Sequence, residues 1–263
     1  TPRALQQLEF RGVELVDSLI ERCRADGGMD LVLDFAFPLP VEGICSMLGI
    51  DGSERERLQE WSREILTPLE PTATPDMIAA GNRAVSEFTA FLRDLLAEKR
   101  RNMSRGVRVG DILEDLIESQ ESEDDPLTED ELVQNCILLL NGGHETTTNL
   151  VGNGMKAMFD NPDQLQKLRD DPSLIAGAIE EMLRFDSPLQ IGNRGIAEPF
   201  EVGGITLAPG TQLLTSIGGA NRDPDAFDNP DGFDITRTPN KHLAFAAGIH
   251  ACIGAPLARM EGT

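Results

Sequence analysis

Helical periodicity running unbroken from Thr128 to Asp160 constrains this chain more than any other feature. It opens on a capping box, Thr128 with Glu131 three residues on, and stops at Asn161-Pro162. At 1.5 Å per residue such a helix is about 50 Å long, enough to cross a whole domain. Leu132, Val133 and the run from Cys136 to Leu140 leave little polar face, so its middle should be buried. Other elements must surround it. Leu5, Leu8, Val13, Leu15, Val16, Leu19 and Ile20 recur at three- and four-residue spacing before Gly27-Gly28, which predicts a first helix over 2–24. DLVLDFAFPLP reads as a short extended or turn-like apolar link. Helices follow over 41–50, 53–67 and 75–101, and a shorter one runs from Ser173 to Phe185, ended by Ser187-Pro188. Sheet is expected only late, where FEVGGITLAPGTQLLTSI reads as a hairpin of two strands. Asn221 to Thr238 is rich in turn residues and has no period. The fold class is mainly α.

Charge and cysteine usage narrow the partners. A net charge of -22 argues against a nucleic-acid backbone, because like charges repel. The longest unbroken apolar run, Cys136 to Leu140, falls far short of the ~20 residues a membrane-spanning helix needs, and no secretion signal opens the chain. Eleven acids between Asp111 and Glu131 read as a solvated loop, and Lys99-Arg100-Arg101 through Arg108 form a short positive island. Cys23, Cys45, Cys136 and Cys252 are widely spaced with no CxxC pair, so neither a zinc site nor a disulfide framework is expected. Reduced thiols in a cytoplasm are the simplest reading. The chain begins inside a helical pattern and stops about two turns into the helix that APLARME begins, so we read it as an internal piece of a longer protein.

Three places carry chemistry. In NGGHETTT, two adjacent glycines inside a helix each cost roughly 1 kcal/mol relative to alanine. Thr146 stands four residues after Gly142, so its hydroxyl can bond to the Gly142 carbonyl and open a polar notch, with Glu145 beside it as a titratable group. An acid next to an alcohol can pass protons to a small bound molecule; a plain helix break with a new cap near Thr146 is the competing reading. His144 should only face a neighbouring helix or loop. In EEMLRF, Glu180 or Glu181 can pair with Arg184, which on an exposed helix is worth only ~0.2–0.5 kcal/mol. In FAAGIHACIGAPLARME, Gly248 and Gly254 let the backbone fold tightly around Cys252, so that peptide N–H groups can point at the sulfur. The helix starting near Ala255-Pro256 places its positive end there, favouring the thiolate that binds metal. His250 could donate to an anionic group of a ligand. A cysteine hydrolase needs a His within reach of the sulfur, and an i−2 neighbour is poorly placed for that.

At these residues the chain resembles a bacterial cytochrome P450, a soluble haem-thiolate monooxygenase. Phe245, Gly248, His250, Cys252 and Gly254 match the family's cysteine-ligand loop, Gly142 to Thr147 its oxygen-activation motif, and Glu181 to Arg184 its Glu-x-x-Arg helix, in that family's order and spacing. The resemblance implies a helical bundle around haem with small β-sheets, of which residues 1–263 would be an incomplete catalytic domain. It implies that Cys252 is the axial thiolate to the iron of haem b (iron protoporphyrin IX), and that His250 and Arg194 pair the propionates. Phe245, Gly248 and Gly254 then shape the cofactor loop, Gly142 and Gly143 make room for dioxygen, and Glu145 and Thr146 relay protons. Glu181 and Arg184 hold the core behind the haem. The implied activity inserts one atom of O2 into a small apolar substrate, with electrons from a ferredoxin- or flavodoxin-type donor that docks on a local basic patch including Arg259. Two positions depart from the family. Ala246 stands where glycine is frequent, and Gly232 replaces the arginine that usually partners Glu181 and Arg184, with Arg222 or Arg237 as candidates to compensate. A non-catalytic haem-binding protein or inactive remnant is the alternative; Glu145-Thr146 argues against it, since a haem holder needs no proton relay.

Overall fold

Spacing of apolar side chains sets the first half of the molecule. The computed structural model describes residues 2–69, 72–122 and 126–263. The chain divides into two units, residues 1–148 and 149–263, each with its own core. In the first unit, α1 (Pro2–Asp26) ends at Gly27, whose φ of 77° is left-handed; the side chains of Leu5 and Leu8 lie outside the described residues. The apolar link after it is helical, not extended. Leu31–Ala36 form a π-helical turn and Pro38–Leu48 form α2. The Asp30 carboxylate explains the difference: it accepts the N–H groups of Val32 and Leu33, both at 3.0 Å, and so caps the turn. By length and composition alone, Leu31–Leu48 would suffice to cross a membrane. Its Leu39, Val41, Ile44, Cys45 and Leu48 are instead buried within this unit.

Helices α3 (Arg55–Leu66) and α4 (Pro75–Ser104) supply most of the remaining core. Ala84, Phe88, Leu92 and Leu96, four residues apart on α4, form one fully buried stripe. Burying each larger member contributes roughly 1.5–3 kcal/mol. Trp61 of α3 lies against Phe88, with ring centroids 5.0 Å apart. The acidic stretch is not simply a solvated loop, because Ile112–Ser122 form helix α5. Asp111, buried, accepts the Glu114 N–H and pairs with buried Lys99, while Glu114 accepts the N–H groups of Val109 and Gly110. Two of the acids therefore start the helix. Glu123, Asp124 and Asp125 lie outside the described residues.

Helix α6 (Glu129–Asp160) is continuous through its glycines, so no break occurs at Thr146. Thr128 and Glu131 cap it reciprocally, the Thr128 N–H donating to Glu131 and the Glu131 N–H to the Thr128 hydroxyl. Its first part lends Leu132, Val133, Cys136 and Leu140 to the first core, and its last part lends Leu150, Ala157 and Met158 to the second. Beyond Asn161, where the sequence indicated only a stop, Pro162 sits in the first turn of a further helix, α7 (Pro162–Asp170). Ala178, Ile179, Met182 and Leu183 of α8 (Ile175–Phe185) complete the second core with Phe233 and Ile235.

The expected hairpin resolves into parts of two sheets. Strands β2 (Phe200–Val202) and β3 (Ile205–Leu207) pair antiparallel across Gly203-Gly204. Strand β4 (Gln212–Ser216) pairs instead with β1 (Ile191–Gly195), which sets Arg194 opposite Leu213. A short helix α9 (Ile217–Ala220) follows, then an irregular stretch to α10 (Ala255–Gly262).

Gly49 ends α2 in a left-handed turn that is closely packed. Its φ is 61°, and a Cβ there would collide with the Asp111 carboxylate and the Lys99 ammonium. Gly49→Ala therefore destabilises by at least about 1–3 kcal/mol, the range for a strained left-handed residue, and lowers the urea midpoint. Gly106→Ala, with φ 77° but open space around it, isolates the backbone contribution alone.

Candidate functional site

The Cys252 loop is shaped by its own backbone. The Cys252 N–H donates to the Phe245 carbonyl at 2.9 Å, and the Ala251 N–H donates to Gly248 at 3.1 Å, closing a single 3-10 turn over Gly248–His250. Gly248, at φ 72°, supplies the left-handed residue. Gly254 has ordinary helical angles, and a Cβ there would lie 3.7 Å from the Cys252 sulfur, an ordinary van der Waals contact, so neither backbone nor packing demands glycine at this position. Among the described residues no N–H bonds to that sulfur, so the glycines do not aim peptide groups at it as the spacing suggested. Ala246, where the family frequently has glycine, sits at φ 55°, a conformation that costs roughly 1–2 kcal/mol with a side chain present.

Exposure separates the thiols. Cys23, Cys45 and Cys136 are buried and Cys252 is exposed; all four are free. Burial pushes the Cys45 and Cys136 thiols up to about 11, with the nearby Glu42 adding at Cys45, which makes both poor ligands. Ile249 and Ile253 flank Cys252 at 98% and 91% exposure. His250 is exposed, and Arg194, exposed on β1, donates to the carbonyl of its neighbour Asn193. An accessible sulfur, an apolar collar and two side chains that can take carboxylates fit a flat apolar macrocycle bearing a metal and two acid groups. Among the described residues no three His, Cys, Asp or Glu side chains cluster as an alternative metal site.

The same unit contains a buried ion cluster. Glu181 and Arg184 are fully buried, and Arg184 uses all its N–H groups: Nε and Nη2 fork onto Glu181 at 2.8 Å each, while Nη1 and Nη2 reach the carbonyls of Asn221, Pro230 and Gly232. Arg237 takes the third place, its Nε 3.0 Å from Glu181 Oε2 and its other nitrogens on the carbonyls of Asp228, Asn229 and Gly232. The Asp234 N–H and the Asn240 amide complete the shell of Glu181. Arg222 turns elsewhere, to the Phe185 carbonyl and Asp231. With Gly232 bearing no side chain, Arg237 fills the role expected of an arginine there. No local spacing announces Arg237 or Asn240, which stand 56 and 59 residues from Glu181.

On α6 the two glycines do different things. A Cβ on Gly142 would meet open space, whereas one on Gly143 would lie 2.5 Å from Ile44 Cδ1. Gly143 thus lets α2 approach and does not open a notch. Thr146 Oγ1 donates to the Gly142 carbonyl at 2.6 Å, and Glu145 is exposed. His144 faces inward, with Nδ1 3.0 Å from Ser62 Oγ and Phe37 edge-on at 4.4 Å. Since the Ser62 hydroxyl donates to Asn141, Nδ1 carries the imidazole proton, and buried Nε2 has no partner among the described residues. Burial pushes this imidazole down to about 4.

A family model described as Cytochrome P450 matches residues 67–263. The chain is 37% identical over 261 residues to a protein of Bacillus subtilis (strain 168) named Biotin biosynthesis cytochrome P450, aligning 99% of this chain with 64% of that protein. It is 38% identical to Vitamin D(3) 25-hydroxylase of Pseudonocardia autotrophica, of which it spans 62%. The crystal structure of P450BioI with an acyl carrier protein ligated to hexadec-9Z-enoic acid matches at 37% identity with a TM-score of 0.92, over 100% of this chain and 66% of that one. The chain therefore spans less than two thirds of the curated relatives it matches.

Two outcomes follow from the site's electrostatics. Arg237→Gln leaves buried Glu181 undercompensated and costs about 3–5 kcal/mol, whereas Arg222→Gln, at the edge of the cluster, costs about 1 kcal/mol or less; urea melts separate them. His144 stays neutral when folded but takes a proton when unfolded below about 6.5, so its contribution is complete above 6.5 and shrinks as pH falls toward 4. Between pH 7 and pH 5 the protein loses about 2 kcal/mol from this source, and His144→Gln removes that part of the loss.

Proposed function

Since this chain belongs to the cytochrome P450 family, we propose that it is a haem-thiolate monooxygenase that inserts one atom of O2 into a small apolar substrate, with electrons from a ferredoxin- or flavodoxin-type donor. The observation that carries the reading is the loop of Cys252: one accessible thiol among four, with its backbone folded back onto Phe245 and isoleucines exposed on both sides. Haem b, held through Cys252 Sγ with His250 and Arg194 at its carboxylates, supplies oxygen activation when bound. The chain's own residues handle ligation, order and protons.

Thr146 has the equipment of a relay. Its hydroxyl donates to Gly142 and keeps lone pairs to accept, so it can take a proton on one side while holding its place on the other. Glu145, on the exposed side of the same turn, can exchange its proton with water. Gly142 leaves the space beside this turn open. The buried Glu181, Arg184 and Arg237 cluster stiffens the segment that leads into the Cys252 loop. Arg237 supplies the cation missing at Gly232, which was one of the motives for the inactive-remnant reading, and so favours an intact scaffold.

The names of the relatives support an apolar substrate, since one hydroxylates vitamin D(3) and another is seen with a hexadecenoic acyl chain on its carrier protein. Four free thiols fit a cytoplasmic location.

The absorption spectrum of the reduced, carbon monoxide-bound full-length protein tests the assignment. A strongly red-shifted Soret band, abolished in Cys252→Ser, is expected; a histidine-type band, or one that survives the substitution, sinks it. In Thr146→Ala, electron consumption continues while product per electron falls several-fold and hydrogen peroxide rises. Unchanged product per electron would place the relay elsewhere; no product from the parent protein either would make it a haem carrier.

A further inference from the structure

Glu180 and Glu181 are neighbours on α8 and so point about 100° apart around the helix. Glu181 enters the buried cluster already described. Glu180, which the sequence offered as a second partner for Arg184, turns instead to the residues on either side of Cys252. Arg259 of α10 forks onto it, Nε to Oε1 at 2.6 Å and Nη2 to Oε2 at 3.0 Å. His242 Nε2 lies 3.0 Å from the same Oε2. The Ala244 N–H donates to His242 Nδ1, so the imidazole proton sits on Nε2 and is donated to Glu180. The Arg259 guanidinium also covers the Phe245 ring at 4.6 Å. Phe245 in turn accepts the Cys252 N–H. These bonds tie the chain before the thiol, at 242 and 245, to the chain after it, at 259.

We propose that Glu180, His242 and Arg259 form a charge-balanced brace that holds the Phe245–Cys252 loop and sets the electrostatic potential at the Cys252 sulfur, with Glu180 and Arg259 acting in opposite directions. The carboxylate and guanidinium cancel and the imidazole is neutral, so removing either ion leaves the other's field uncancelled. The Arg259 fork holds the Glu180 carboxyl below the usual carboxylate range, and the His242 bond adds to it against burial. Reciprocally, the bond to Glu180 raises the Arg259 guanidinium against the opposing effect of burial. With its fork on Glu180 and one face on Phe245, Arg259 is a positioning residue of the loop.

The proposal rests on the haem-thiolate reading for one readout and not for the other. In the haem-loaded full-length protein, the midpoint potential of the iron rises in Glu180→Gln, falls in Arg259→Gln and stays near the parent value in Arg259→Lys, which keeps the charge. A role limited to holding the fold would move both neutral variants the same way; that result, or no shift, overturns the proposal. In haem-free protein, peptide-resolved alkylation of Cys252 gives the ratio of the rates with iodoacetate and iodoacetamide. That ratio reads the local field independently of the thiolate fraction. It rises about twofold in Glu180→Gln and falls about twofold in Arg259→Gln, the size of a partly exposed charge effect. Equal ratios in all proteins overturn the proposal even if the spectrum is that of a thiolate. A parent protein without that spectrum would remove the oxygenase reading and leave the ratio to judge the brace. Should Arg259→Gln not fold, Glu180→Gln against Arg259→Lys decides, since only the first should shift.

Discussion

A carboxylate with no access to water, Glu181, is the point on which the second unit depends. Burying such a charge is costly, and it persists only when nearby cations and hydrogen bonds replace its hydration. Here Arg184, Arg237, Asn240 and the Asp234 N–H do so. The two arginines then spend their remaining donors on backbone carbonyls from Asn221 to Gly232. That stretch has neither helical nor strand period, so its conformation has no repeating ladder to rely on. Its order comes from isolated backbone turns, such as the Phe227 N–H on the Asp223 carbonyl, and from side chains reaching into it, and it delivers the chain to the Cys252 loop.

The neighbouring acid shows how one helix turn can serve two purposes. Glu181 stabilises by being sealed off, whereas Glu180 remains partly exposed, where charge effects are smaller and adjustable. The first holds the scaffold and the second addresses the sulfur. Helix α6 divides its duties in a similar way. Gly143 and His144 face inward, to Ile44 and Ser62, while Gly142 and Glu145 lie on the exposed side. Two adjacent glycines thus answer two different demands, one for close helix packing and one for room.

Much of this was legible in the residues. Periodicity and caps placed α1, α2, α4, α6 and α8, because a helix is decided by contacts three and four residues apart. The Thr146 to Gly142 hydrogen bond followed from the same spacing. The π-helical turn at Leu31–Ala36 was missed because apolar runs hide their period, although Asp30 was the available signal. Helix α5 is hidden in the sequence because its capping acid, Asp111, stands among ten others whose charge alone suggests solvated chain. The strand partner of β4 was missed because pairing across some twenty residues leaves no local mark.

By itself, then, the order of residues determined the helices, the glycine-flanked turn at Cys252 and the acid-alcohol pair, all of which rest on neighbours within about one turn. Tertiary structure alone decided that Arg237 and not Arg222 completes the Glu181 cluster, that Glu180 belongs to Arg259 and His242, and that Gly143 is packed while Gly142 is open. A buried charge selects its partners by distance in space. Residues more than fifty positions apart become neighbours only once the backbone between them has folded.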